Sequence, residues 1–397
     1  MQKKIPAFLL PLLCGCFLLV FALALLLSPS KTYSEQENRT LSTAPTLALS
    51  SLLDGSYTRE LGDFFADQFP LRTTFVRLKT RCEQLLLRSE NGGVLFGKDG
   101  YLIPRLEYTD AQYATLEQNV QALSRLSERM AQDESTDVPL LLAPVPRSVD
   151  VNRSRLPDHY DPGISTAVWA LLQEQLDRSA VSSVDLLTSL QQAADQGEDV
   201  WFRTDHHWSS EGAYLAYCAL GEVLGYQPYA HDTFSAEVVS EDFLGTTYSS
   251  AGLVAAQADA ITLLRYDADT DYRTEIRQNG TVTRTLQGFY DWDALDTKDQ
   301  YTVFLGGTNS HICVEPPDGQ SLPTLLLIKD SYAQSLAPLL ARHYRLILID
   351  PRTYRPTDTQ PALLSLIKQE QPDAVLVLCG LDTLCGDMDL RTLLVGK

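Results

Sequence analysis

Five short runs of largely apolar sequence constrain the fold of this chain most: Val138–Val145, Tyr301–Leu305, Leu325–Ile328, Tyr344–Ile349 and Ala374–Leu378. A strand in a half-exposed sheet alternates apolar and polar residues, whereas these runs do not alternate, so both of their faces need cover. Helical patterns at Tyr332–Arg342 and Thr359–Gln369 separate the last three runs. Strand, helix and strand at that spacing predict βαβ units, hence an α/β domain with a mostly parallel sheet and flanking helices. A further long helix is expected at Thr109–Gln132, and a hairpin where Val94–Phe96 and Tyr101–Ile103 flank Gly97–Gly100.

Ile5–Leu27 is uncharged over 23 residues, which as a helix at about 1.5 Å per residue spans roughly 30 Å of hydrocarbon. Lys3 and Lys4 precede it, and the positive-inside tendency then leaves the N-terminus in the cytoplasm. The run predicts one N-terminal transmembrane helix, an uncleaved signal-anchor. The C-terminal domain is then extracytoplasmic, and the localisation is single-pass in the cell membrane. On this reading residues 1–30 are the anchor, 31–57 an extended stalk, and 58–397 the α/β domain. Within that domain, about 234–299 differ in texture, with Asn279-Gly280 between two alternating segments, and are read as a small antiparallel insertion. Amphipathic helices are expected over Tyr57–Arg88, interrupted at Pro70.

All acidic residues lie beyond the apolar run, and the chain carries a formal net charge of −19. Such a charge opposes nucleic acid. The seven cysteines make no disulfide framework in a chain of this length; Cys379 and Cys385 are read either as one bridge or as buried thiols. Asp267, Asp269 and Asp271 lack the glycine and distal glutamate of an EF-hand and are read as a solvated turn.

Two stretches carry candidate chemistry. In Trp201-Phe-Arg-Thr-Asp205-His206-His207-Trp208, extended backbone sets Asp205 beside His207 and sends His206 to the other side. A carboxylate docked on one imidazole nitrogen leaves the other free as a base. In Leu325-Leu-Leu-Ile-Lys329-Asp330-Ser331-Tyr332, a serine follows a buried strand at the carboxyl edge of the sheet, where open α/β folds bind ligands. A serine hydroxyl is a weak nucleophile without a nearby base, so Asp205, His207 and Ser331 form the candidate catalytic set. Gly306-Gly307-Thr308-Asn309 follows another apolar run; Gly307 permits close backbone approach and Asn309 can donate to an oxyanion, or the stretch is a turn closed by its own asparagine. Asp205, His206, His207 and His311 lack a metal-ligand spacing, so neither metal nor other cofactor is expected. Trp208 and Trp201 are candidates for the pocket wall or a sugar-stacking face. His206, Asp330 and Tyr332 are expected to support the catalytic set.

Thr204–Trp208 resembles the signature of the bacterial DHHW proteins, a group similar to the SGNH-hydrolase-like domains of alginate O-acetylation proteins. The resemblance extends over Glu37-Asn38-Arg39, Asp63–Arg72, the hairpin near Gly97, Phe304–Gly307 with Asn309, Asp330-Ser331-Tyr332 and Asp350-Pro-Arg352. It implies an SGNH-like fold and a serine-dependent O-acyl, in particular acetyl, transferase or carbohydrate esterase acting on a glycan of the cell envelope or beyond it. The family's Asp-x-His-Trp motif falls on Asp205, His207 and Trp208, and its serine on Ser331. It also implies a multi-spanning membrane acyl exporter as partner. The rival reading is a non-catalytic glycan-binding scaffold of the envelope.

Overall fold

The computed structural model describes residues 8–37, 39–252, 254–357, 359–387 and 390. The chain divides into two compact units, residues 1–92 with 249–255, and residues 93–248 with 256–397.

In the first unit the apolar run forms α1 (Leu9–Leu27), followed by α2 (Ser56–Asp67) and α3 (Arg72–Leu85). The expected anchor is corrected here. The helix begins at Leu9 and has 19 residues, about 28 Å at 1.5 Å per residue and short of a roughly 30 Å hydrocarbon core. Its Phe21 stacks on Phe69 at 5.1 Å, so part of its surface is committed to protein. Among the described residues no helix is long and apolar enough to cross a membrane. The single-pass localisation, the N-in orientation and the membrane contact rested on that span and fall with it. Lys3, Lys4 and the start of the run lie outside the described residues, as does Asn38. Ion pairs tie two stretches of this unit together: Arg72 to Glu37 at 2.9 Å, and Arg39 to Asp67 at 2.5 Å. Pro70 separates α2 from α3, as the sequence pattern predicts.

The second unit holds twelve strands that matter to the site: β1 (Val94–Phe96), β2 (Leu102–Pro104), β3 (Leu140–Val145), β4 (Ser182–Ser183), β5 (Ser235–Phe243), β6 (Asp259–Arg265), β7 (Arg273–Gln278), β8 (Thr281–Gln287), β9 (His311–Glu315), β10 (Thr324–Lys329), β11 (Arg345–Ile349) and β12 (Ala374–Gly380). Eight of them form one sheet in the order β8-β7-β9-β11-β10-β12-β3-β4. From β11 to β4 every pairing is parallel, and from β8 to β11 every pairing is antiparallel. The sheet is therefore mixed, and the hairpin read as an excursion supplies its antiparallel edge, β7 and β8. The ribbon β5–β6 stands apart as a two-stranded pair.

Successive residues of β10 feed opposite cores: Leu325 and Leu327 pack into one apolar cluster, Leu326 and Ile328 into the other. Burial on both faces is the reason the run does not alternate. Helices α4 (Asp110–Met130), α5 (Gly163–Asp177), α6 (Leu187–Asp195), α7 (Ser210–Leu224), α8 (Ala333–Leu340) and α9 (Leu363–Glu370) supply the cover. Thr109 caps α4 in a capping box with Gln112. The run Tyr301–Leu305 is buried but is no strand: it winds as a short 3₁₀ turn, and Leu305, Gly306 and Gly307 all take positive φ, a conformation that ends extended pairing. The strand at this place is β9, whose His, Cys and Glu disguise it. Cys379 and Cys385 are buried thiols with no disulfide between them. Asp269 is no solvated turn residue either, being buried and paired with Arg342 and Arg265.

Candidate active site

Asp205, His206 and His207 sit on a loop pinched shut by an antiparallel bridge between Trp201 and Trp208. Phe202 N–H donates to the His207 carbonyl at 3.2 Å, and Trp201 Nε1–H to the His206 carbonyl at 2.8 Å. From the far side Asp259 accepts the amides of Arg203 and Thr204 at 3.0 and 2.8 Å. Beyond the loop, Ser209 caps α7 by accepting from Gly212 N–H at 3.3 Å. The loop is thus held mainly through its backbone; Asp205 Oδ1 also accepts His207 N–H at 3.0 Å within it, and the side chains of Asp205, His206 and His207 still reach beyond it.

Ser331 stands between the end of β10 at Lys329 and the start of α8 at Ala333. Asp330 fixes the turn before the helix: it accepts Tyr332 N–H at 3.1 Å, Gly380 N–H at 2.6 Å and the Thr383 hydroxyl at 2.7 Å. Complete burial raises its pKa, against the pull of those donors. Lys329 is also fully buried; its Nζ lies 3.8 Å from Asp350 and has no hydrogen-bond acceptor among the described residues, and burial lowers its pKa.

The two segments meet. His207 Nδ1 is 2.5 Å from Asp205 Oδ1, and His207 Nε2 is 2.7 Å from Ser331 Oγ. Burial opposes ionisation of Asp205, but the neighbouring imidazoles, the His207 hydrogen bond and the Thr246 amide outweigh it and hold the carboxyl well below its usual range. An ionised carboxylate only accepts, so the proton between it and His207 belongs to Nδ1, and Nε2 faces Ser331 as an acceptor. Asp205 Oδ2 accepts Thr246 N–H at 2.7 Å and the Thr246 hydroxyl at 2.9 Å. Gly245 allows that approach, since a Cβ there would run into the Asp205 carboxylate.

The rings around His207 fix its plane. Tyr301 stacks on it at 3.8 Å with the planes 8° apart, and Tyr332 meets it edge-on at 5.2 Å. Tyr301 hydroxyl donates to the Ser331 carbonyl at 3.3 Å, and Tyr332 hydroxyl to the His206 carbonyl at 2.7 Å. Ser331 opens onto a cavity of about 200 Å³, also lined by His206, Arg147, Arg352, Asp382 and Thr383. Arg147 and Arg352 are held by bidentate pairs to Asp150 and Asp350. Among the described residues, Ser331 N–H has no protein acceptor, which leaves it available to an oxyanion.

Other expected site residues lie elsewhere. The Trp208 indole is wholly buried and donates to the Tyr332 carbonyl at 3.1 Å and to Ser335 Oγ at 3.0 Å. Trp201 is buried against Trp208 and Tyr332. Neither offers a face to a sugar; both are braces. Asn309 donates to the carbonyls of Gly306 and Gly307 at 3.1 and 3.2 Å, so its amide is spent within its own loop. Neither Asn309 nor Gly307 lines the cavity beside Ser331. His206 does not turn away from His207: the loop is bent rather than extended, and the two rings lie 3.8 Å apart. Thr246 and Tyr301 carry no sequence signal for their roles. Arg147 and Arg352 do, because each follows a buried strand at the sheet edge that identified Ser331. Asp205, His206 and His207 offer ligand atoms within 4.8 Å of one another, but the Nδ1 atoms of both rings already face Asp205 and Thr246.

Residues 94–310 match the family model described as an SGNH hydrolase-like domain of the acetyltransferase AlgX. The chain is 28% identical over 190 residues to a probable alginate O-acetylase AlgJ of Pseudomonas syringae pv. tomato, covering 47% of each chain. The corresponding Pseudomonas aeruginosa protein is 32% identical over 167 residues, 41% of each chain. The chain thus spans about half the length of the curated relatives it matches. In fold it is similar to a DHHW family protein from Eubacterium siraeum, with TM-score 0.60 and 20% identity over 77% of this chain and 95% of the other. It is likewise similar to Bacillus cereus PatB1, with TM-score 0.61 and 22% identity over 77% and 99%.

Proposed function

Because the chain belongs to the SGNH hydrolase-like family of the acetyltransferase AlgX, we propose that it is a serine-dependent O-acyl transferase or esterase whose substrate is a glycan and whose acyl group is acetyl. One observation carries this reading: the continuous line from Asp205 through His207 to Ser331, with hydrogen-bond distances of 2.5 and 2.7 Å. His207 Nε2 takes the Ser331 proton as Oγ attacks the acyl carbonyl. Asp205 keeps Nδ1 protonated and stabilises the imidazolium that forms. Ser331 N–H stabilises the oxyanion. His207 returns the proton to the leaving oxygen, and a sugar hydroxyl or water then attacks the acyl-serine by the same steps in reverse.

The glycan-binding scaffold draws support from Asn309, whose amide turns into its own loop rather than toward an oxyanion. A single experiment separates the two. With 4-nitrophenyl acetate, the transferase reading expects a burst of nitrophenol and an acetyl mass on Ser331. Ser331→Ala and His207→Ala are expected to lose the burst by at least about 10³-fold. Retained glycan binding with no acylation in the wild-type protein would establish the scaffold instead.

A further inference from the structure

The Asp205 loop carries a second imidazole that these steps do not use. His206 borders the cavity beside Ser331, and its side chain is 40% exposed. Its Nδ1 lies 2.7 Å from Thr246 Oγ1. The Thr246 hydroxyl has one proton and donates it to Asp205 Oδ2 at 2.9 Å. The threonine oxygen therefore meets His206 as an acceptor, and the proton between them belongs to His206 Nδ1. A neutral imidazole protonated at Nδ1 carries its lone pair at Nε2. Among the described residues no protein group donates to that atom. Desolvation in the loop and the adjacent His207 push the His206 pKa down to about 4, against the pull of Asp205, Asp330 and Asp382.

One carboxylate thus sets the tautomers of two histidines. Oδ1 acts directly on His207, whose Nε2 is directed at Ser331; Oδ2 acts through Thr246 on His206, whose Nε2 borders the cavity with no donor among the described residues. We propose that His206 Nε2 accepts a hydrogen bond from a second hydroxyl of the acyl acceptor, next to the attacking one, so that the site selects vicinal diols over simple alcohols. This inference rests on the acyl-transfer reading. In the transfer step the acceptor oxygen bonds to the acyl carbon, and the bond from that carbon to Ser331 Oγ breaks. The attacking hydroxyl's proton passes through His207 Nε2 to Ser331 Oγ. The attacking hydroxyl has no second proton for His206, which is why an adjacent hydroxyl is required.

The test uses the full chain acylated by 4-nitrophenyl acetate, with cis-1,2-cyclohexanediol or cyclohexanol as acceptor. The wild-type protein is expected to prefer the diol about tenfold in kcat/KM, the worth of one hydrogen bond. In His206→Phe that preference is expected to shrink toward unity, while His206→Gln, whose Oε1 can accept, retains part of it. A diol preference that persists in His206→Phe, or a wild-type protein with no preference, overturns the inference. So does an equal fall for both acceptors in both variants, which would mark His206 as acting only through His207. Failure of the wild-type protein to form acetyl-Ser331 at all overturns the underlying reading, an outcome distinct from an acyl-enzyme indifferent to acceptor.

Discussion

Two polar loops stand out in the sequence, Thr204–Trp208 and Gly306–Asn309, and they leave their side chains with different capacity for outside partners. In the first, the Trp201 indole and Asp259 hold much of the backbone, and the side chains of Asp205, His206 and His207 extend to Thr246 and Ser331. In the second, the Asn309 side chain is itself the backbone's partner, closing on Gly306 and Gly307. What differs is spare capacity: Asp205 accepts His207 N–H within its own loop and still has acceptor sites for the His207 ring and Thr246, whereas both N–H donors of Asn309 are used inside its loop. The histidines associated with the two loops show the same contrast. Both nitrogens of His207 have partners, whereas buried His311, just after the second loop, has none at Nδ1 among the described residues.

That contrast is sharpened first by acid. Burial pushes the His311 pKa down to about 4; Arg277 and Arg345 add to the shift, and Glu370 opposes it. Unfolding restores a value near 6.5. The depressed folded value means that His311's contribution to stability is complete above about pH 6.5 and is lost as pH falls through about 4. The loss amounts to about 2–3 kcal/mol at the acid end. Urea unfolding at pH 7 and pH 4 is expected to show a smaller drop for His311→Leu than for the wild-type chain. Equal drops would mean that the ring titrates normally in the fold.

A smaller effect is expected from Thr246→Val, which removes the hydroxyl shared by Asp205 and His206 but keeps the backbone amide. One hydrogen bond to a buried carboxylate is lost, at about 1.5 kcal/mol, or roughly tenfold in the rate of Ser331 acylation. An unchanged rate would show that the amide and His207 suffice to hold Asp205.

Much of the sheet is legible because burial on both faces leaves a sequence trace, as in Leu325–Ile328 and Ala374–Leu378. Tyr301–Leu305 misleads because its apolar residues are buried without joining the sheet: Phe304 makes only an isolated bridge to Tyr290. Tyr301 instead spends its ring on His207 and its hydroxyl on Ser331 and Ser335. The N-terminal run misleads because hydropathy measures composition, whereas spanning also needs helix length. Within the site, the two-residue spacing is compatible with an Asp205–His207 contact even in a bent loop, but the same rule sends His206 the wrong way. Thr246 left no trace: its role comes from Gly245 letting a distant segment close over Asp205, and no local pattern encodes such an approach.

The smallest effect is expected at the loop that closes on itself. Asn309→Ala removes two hydrogen bonds to carbonyls within Gly306–Asn309, in a part-buried place where water can replace one of them. The cost is about 1 kcal/mol of stability, read as a shift in the urea midpoint at constant slope. Acylation of Ser331 is expected to stay within about threefold of wild type, because one lost neutral contact outside the cavity removes little transition-state stabilisation. A fall of a hundredfold or more without a matching loss of stability would mean that the loop opens during the reaction and that Asn309 Nδ2 reaches the oxyanion. The two loops would then differ in timing rather than in role.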